Sequence, residues 1–262
     1  MSERFSRLVW VLPFLLLGVG ACAERDPESD PARLAEWEWL QEAEASLKEL
    51  RDRQGELNHE ILEVAQTLRQ GDAEAAARLE ELEAEVEELD EKIEDLADEF
   101  GHRLVMFINE DPIRSGHEPT ELQRAALRMK SDEDIALAQE YIDKGGDYRR
   151  AISIIEAARS VDPEYERLQE ELERVQALRF MSEERFEQVE RGMTKQEVRA
   201  LLGQVNLLNR QEYPGDDRDV LAWFYPTAPG GAAAGVWFEK DRSTGLYRVY
   251  RRDFDALDPA NR

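Results

Sequence analysis

Cysteine is almost missing from this chain: Cys22 is the only one, so no disulfide can close within it. Histidine is nearly as scarce. His59, His102 and His117 are scattered, and His59 falls on an outer position of a heptad pattern, so neither a metal site nor an acid–base pair is expected and no cofactor is implied. Positive charge is in deficit, with 34 Lys and Arg against 59 Asp and Glu and a net charge of −25. Phosphate binding needs clustered cations that release counterions, so nucleic acid is not an expected partner. Aromatic residues are only 8% of the chain while charged residues are 35%, a balance that suits long solvated helices better than one dense globule. Adjacent carboxylates such as Asp216-Asp217 are inevitable at this acid content and read as loop solvation, and Gly230-Gly231 with Gly235 lacks the strand-turn-helix setting of a phosphate loop. The chain is therefore read as a binding protein, not an enzyme.

One apolar run is present. Arg4 and Arg7 precede Leu8 to Ala21, whose 14 residues suit the hydrophobic region of a signal peptide and are too few to span a bilayer. The run closes on Val19-Gly20-Ala21-Cys22, which resembles the lipobox of bacterial lipoproteins. The resemblance implies recognition of Val19, Gly20 and Ala21 by a signal peptidase, removal of residues 1–21, and diacylglycerol on the Cys22 thiol. It also accounts for an unpaired cysteine in an exported chain. Two or more acyl chains at ~0.8 kcal/mol per buried methylene hold a protein on a membrane effectively for good. Ala23, rather than Asp, follows the cysteine, and by resemblance to the sorting rule of enteric bacteria this favours the outer membrane, periplasmic face. Residues 22–31, polar and with two prolines, read as a tether.

From there the two parts of the chain differ in charge. Residues 33–100 hold 23 acids and 7 bases, whereas residues 182–262 hold 14 acids and 12 bases. Asp30-Pro31 is a helix start, Asp as N-cap and Pro at the first helical position. Leu40, Leu47, Gln54, Ile61 and Leu68 repeat every seven residues, and Ala43, Leu50, Leu57 and Val64 fill the second register. A second seam runs through Leu79, Val86, Ile93 and Phe100 with Leu82, Leu89 and Leu96. The phase jumps by four around Gln70-Gly71-Asp72, which fits either the turn of a hairpin or a stutter in one continuous helix that needs a second subunit. The hairpin is the favoured reading over residues 32–109, because it buries both seams within one chain and gives an arm of ~58 Å at 1.5 Å per residue. Trp37 and Trp39 read as packing at its open end, in preference to a contact with the bilayer.

Residues 118–180 carry a second pattern. Gly146-Asp-Tyr148-Arg-Arg-Ala151, then Ile155, Ala158 and Pro163, resembles the second helix of a tetratricopeptide repeat, and Ile135, Ala138 and Ile142 sit at core positions of the first helix. Gln139 stands where a small residue is usual. The resemblance implies protein binding through helical surfaces. Since only one repeat is visible, flanking helices near 120–130 and 164–180 must cover it, and a plain spacer is the alternative.

After Ser182 the pattern changes again. Gly192-Met193-Thr194-Lys-Gln-Glu197-Val198-Arg-Ala-Leu201-Leu202-Gly203 reads as a tight turn and a helix with a Thr194/Glu197 capping box, preceded by a short helix at Phe186 to Val189. Three strands are expected at 220–225, 232–239 and 246–254, giving an ααβββ order. The Gly-Met-Thr-x-x-x-Val-x-x-Leu-Leu-Gly stretch, Trp223-Phe-Tyr225, and Gly235-Val-Trp-Phe-Glu239 ahead of Gly245 resemble the SmpA/OmlA family, the BamE-like lipoproteins of outer-membrane protein assembly. That family places a proline just after the Leu-Leu-Gly, where this chain has Gln204-Val205. The resemblance covers residues 182–256 and implies a lipoprotein that touches assembly components and lipid headgroups. The expected fold is thus mostly α with a C-terminal α+β domain. The expected role is a lipid-anchored scaffold that binds envelope proteins. The alternative is a structural lipoprotein whose coiled coil spaces or oligomerises the anchor.

Overall fold

A computed structural model of the chain describes residues 30–69, 74–114, 116–215, 218–241 and 245–256. Among the described residues seven α-helices precede or flank a four-stranded sheet: α1 Pro31–Arg69, α2 Glu74–Glu110, α3 Glu121–Gly145, α4 Tyr148–Val161, α5 Glu166–Leu178, α6 Glu183–Phe186 and α7 Lys195–Leu202, then β1 Arg210–Tyr213, β2 Val220–Pro226, β3 Ala233–Lys240 and β4 Tyr247–Asp253. Among the described residues no helix is long and apolar enough to cross a membrane. The leader, Cys22 and the tether as far as residue 29 lie outside the described residues, as do Gly71, Asp72, Asp216 and Asp217.

The start of α1 follows from its first residues. The Asp30 carboxylate accepts from the Ala32 N–H at 3.0 Å, and Pro31 loses nothing at a position whose N–H has no intrahelical partner. α1 and α2 pack antiparallel. At one end Leu40, Ala43 and Leu47 meet Phe100, Leu104 and Phe107; at the other Leu57, Ile61 and Leu68 meet Ala75, Leu79 and Leu82. Cross-helix ion pairs run in the same opposed order, Glu36 with Arg103, Arg53 with Glu85 and Glu60 with Arg78. Both seams are therefore buried within the chain at their two ends, and Val86, Leu89, Ile93 and Leu96 between them are half-buried, an arrangement that fits the hairpin reading. Gln54, the one polar residue of its register, donates to Asp90 at 2.6 Å, and Asp90 in turn pairs with Lys144 of α3 at 3.4 Å. This polar layer separates the two apolar clusters and pins the register of three helices.

The open end is closed by arginine. Arg33 is buried over the Phe107 ring at 4.0 Å and donates to the Phe107 carbonyl at 3.2 Å. Arg103 lies 3.4 Å over Trp39, and Trp37 stacks on Phe107, so both tryptophans pack against the hairpin.

α3 lies along the hairpin. Its Ala126 and Met129 join the cluster at the open end, Glu133 takes both guanidinium nitrogens of Arg51, and Lys144 reaches Asp90. The helix is 25 residues long, so the flanking segment near 120–130 and the first tetratricopeptide-like helix are one element. Ile135, Ala138, Ile142, Ala151, Ile155 and Ala158 form a common core with Leu168, Leu172 and Val175 of α5, which supplies the cover that a single repeat needs.

Burial pushes the Glu133 carboxyl above its ordinary value of 4.5, against the pull of Arg51. A raised folded-state value means that the native form holds the proton more tightly, so stability falls as pH rises from 4.5 through that raised value. Arg51→Ala removes the strongest opposing influence. The variant should lose on the order of 2 kcal/mol at pH 7 and recover part of it on acidification toward pH 5, more steeply than the parent chain. Urea unfolding at the two pH values checks this, and adding Glu133→Gln should flatten the difference.

The sheet is an antiparallel meander in the order β1-β2-β3-β4. It has one strand more than the three expected: Arg210-Gln-Glu-Tyr213 carries no alternating apolar pattern, yet pairs with β2 from Arg210↔Trp223 to Tyr213↔Val220. Leu221, Trp223, Tyr225, Ala234, Val236, Phe238 and Val249 face α6 and α7 in one core with Phe186, Val189, Val198 and Leu202. A bulge at Trp237/Phe238 re-aims β4, so that Arg251 covers Trp237 at 4.4 Å on the outer face while Arg252 reaches the Phe186 carbonyl on the inner one. This domain docks on the arm through Leu246, packed on the Leu57–Leu82 cluster, and through Gln196 bonded to Glu83 at 3.1 Å.

Candidate functional site

Three elements of different origin meet beyond the C-terminus of α3. The α3 helix stops at Gly146, whose φ of +60° lets its N–H return to the Ile142 carbonyl. Asp147 then caps α4 by accepting from the Arg150 N–H at 3.0 Å. This turn presses on the segment after α7: the Asn206 side-chain amide donates to the Gly146 carbonyl at 3.3 Å. The segment is held from the other side by the Tyr225 hydroxyl, which donates to the Gly203 carbonyl at 3.2 Å. The linker after α5 is tied to the end of β2 by the Met181 N–H on the Pro226 carbonyl at 2.7 Å.

These ties enclose a cleft of about 290 Å³, with Phe180, Leu202, Tyr225 and Pro226 among its apolar walls and the turn Pro229 to Gly231 as its lip. Its charged lining residues are Arg149, Arg179 and Asp147, two cations against one carboxylate, so the rim carries a net positive charge. Leu208, beside the cleft, is 88% exposed.

Burial raises the pKa of Tyr225 far above the ordinary phenol range, with Tyr148 adding to it, and burial raises Tyr148 as well. Both hydroxyls therefore stay protonated at neutral pH and act as hydrogen-bond donors. Arg210, which influences Tyr225, has its guanidinium pKa lowered by burial and then by Arg199, while at the other end of α7 burial lowers the Lys195 ammonium against the pull of Glu83. The chemistry on offer is recognition of an apolar group with an anionic neighbour.

The residues singled out by the family resemblance have mainly architectural places. Gly192, at φ +91°, exchanges hydrogen bonds with β4 together with Met193, and Thr194 and Glu197 form the capping box of α7. Val198, Leu202 and Trp223 are core, and Gly203 lies against the Tyr148 hydroxyl. Of these, only Leu202 and Tyr225 reach the cleft. Cys22, Val19, Gly20 and Ala21 are outside the described residues. His59 is exposed and lies 3.6 Å from Glu63, and His102 borders a shallow hollow at the open end of the arm. Among the described residues no group of three or more His, Cys, Asp and Glu side chains could hold a metal ion. Arg149, Arg179, Phe180 and Leu208 carry no sequence signal, since nothing local relates residues 149 and 179 to residue 208. No family model, curated protein or solved structure matches the chain.

Proposed function

We propose that this chain is a lipid-anchored envelope lipoprotein whose body, facing the periplasm, is a protein-docking scaffold. The observation that carries this reading is Val19-Gly20-Ala21-Cys22 at the end of a leader-like apolar run, with Cys22 the only thiol. The geometry supports it. The polar stretch after Cys22 leads into α1 at the open end of the arm, where α3 also begins, and α3 reaches roughly 37 Å along its axis before it meets the cleft. A docking site raised in this way clears the headgroups and faces other proteins. The hairpin buries the ends of its own seams and half-buries their middle, which weighs against a coiled coil that requires a second subunit.

The resemblance of residues 182–256 to the SmpA/OmlA family favours outer-membrane protein assembly as the setting and the outer membrane as the site of anchoring. The fourth strand and the missing proline after Gly203 separate this chain from that pattern, so the partner is taken from the cleft's chemistry. No catalytic step belongs to this reading. Cys22→Ser should move the protein from the membrane pellet to the soluble envelope fraction, and intact-mass measurement of the parent should show a diacylglyceryl adduct on Cys22. A free thiol at Cys22 in membrane-purified protein would overturn it.

A further inference from the structure

The two edges of the C-terminal sheet are treated differently. The β4 edge is closed by the chain itself: the Gly192 N–H donates to the Val249 carbonyl, the Val249 N–H donates to the Met193 carbonyl, both at 2.8 Å, and Thr194 bridges to Arg248. At the β1 edge, among the described residues, backbone pairing goes to β2 alone. Among the described residues this edge is protected only by its shortness and by the charges of Arg210 and Glu212: no bulge interrupts the β1–β2 register and no proline falls within residues 210–213. Leu207, Leu208 and Tyr213 bracket this edge, exposed by 46%, 88% and 46%. The remaining large exposed hydrophobic residues lie elsewhere, in or beside the helices.

The charges at this edge are also distinctive. The register places Arg210 and Glu212 opposite Trp223 and Leu221, on the sheet face that carries α7. Lys195 and Arg199 are one helical turn apart on α7. Among the described residues Lys195, Arg199 and Arg210 make no ion pair, in a chain with 59 acids; Glu83 and Glu212 influence Lys195 without pairing with it. The Arg210 Nε and the Trp223 Nε1 are buried donors without an acceptor, and the guanidinium lies 5.6 Å from the indole ring. Buried donors of this kind are uncommon in folded proteins.

We propose that the β1 edge receives an extended segment of another protein, with acidic residues at alternate positions and apolar residues between them, added as a fifth strand. The segment's backbone pairs with β1. Its acidic side chains fall on the α7 side, where Lys195, Arg199 and Arg210 outnumber the one β1 carboxylate of that face, Glu212, and its apolar side chains fall on the side of Tyr213. A second copy of this chain is the poorer occupant, since its own β1 brings one base and one acid to the α7 side, Arg210 and Glu212, and so no net negative charge. The inference takes from the scaffold reading only that the partner is a protein, and its test does not depend on the lipid anchor.

The test uses the detergent-solubilised full chain and two labelled, end-capped octapeptides, one alternating Glu and Val and one alternating Lys and Val. Fluorescence anisotropy should show binding of the Glu/Val peptide alone, and hydrogen exchange should show new protection of amides in residues 210–213. Arg199→Glu, at an exposed position, should weaken binding about tenfold or more without changing the melting curve. Leu208→Asp should do the same independently. Equal binding of the two peptides, or binding without protection in β1, would overturn the proposal. So would a peptide-free dimer that Leu208→Lys dissolves, which would assign the edge to a second copy.

Discussion

Replacing Gly146 by alanine is expected to destabilise the protein by about 3 kcal/mol or more, a large change for one methyl group. Two costs combine. The backbone at φ +60° is left-handed, which penalises any residue with a Cβ by roughly 1–2 kcal/mol. The new Cβ would also stand 2.5 Å from the Asn206 nitrogen and 2.6 Å from both the Gln204 oxygen and the Val205 carbonyl carbon. These are backbone atoms and cannot rotate away, so either the α3–α4 turn or the segment after α7 must move, and the Asn206 bond to the Gly146 carbonyl is lost. The neighbouring glycine supplies the control. Gly145 is helical, and a Cβ there meets nothing within 4 Å, so Gly145→Ala should be neutral or stabilise by up to about 1 kcal/mol. Chemical denaturation should show a loss for Gly146→Ala beyond the roughly 1–2 kcal/mol of its backbone alone if the helical unit and the C-terminal domain touch where described. A loss confined to that backbone cost would mean that they do not. Since Gly146 also lines the cleft, the alanine variant should lose cross-linking to partners from a photoreactive group at position 208.

The second large effect belongs to Phe238→Ala, for which about 3–5 kcal/mol is expected. Phe238 is fully buried on β3, and its ring meets the Trp223 ring edge-on, with centroids 4.7 Å apart at 61°. The variant loses the transfer free energy of the ring, an aromatic pair, and the contacts lining the resulting cavity. Trp237, the next residue, offers a contrast. It points to the outer face, is half-exposed, and lies over Gly235 and against Phe224. Trp237→Ala should therefore cost clearly less than Phe238→Ala. Hydrogen exchange locates the damage: in Phe238→Ala the strand amides should lose protection first, while α1 and α2, whose clusters do not include this residue, should retain theirs.

Legibility in the sequence differed by element, and each difference has a physical cause. The α1–α2 seams could be read because a helix that buries one stripe must repeat its apolar residues every three or four positions, and Leu40, Leu47, Leu57, Ile61 and Leu68 do so. The α7 capping box could be read because it joins residues three apart. Strand β1 could not, since its ladder to β2 comes from the chain folding back and its side chains span the boundary between core and water. The bulge in β4 was hidden for a related reason: Tyr250 is one residue too many for the partner strand, and that count exists only once the strands are in register. The continuity of α3 was obscured because its burial comes from three neighbours at different heights, the hairpin, α4 and α5, which leaves no single stripe.

The candidate site shows the same division more sharply. Local sequence by itself determined the helices, their caps, the heptad seams and the leader-like run ending at Cys22, because the interactions concerned link residues a few positions apart or depend on composition alone. It also determined that the chain would be mostly helical with a small sheet at its C-terminus. The tertiary structure alone decided that the two arms of the hairpin run antiparallel, that Glu133 is desolvated against Arg51, and that Gly146 meets Asn206 across 60 residues of chain. It likewise decided that Arg199 and Arg210 share an open sheet edge beside Leu208. Contacts of this kind arise when preformed elements bury their remaining apolar faces against one another, and no periodicity within one element encodes which partner its face will meet.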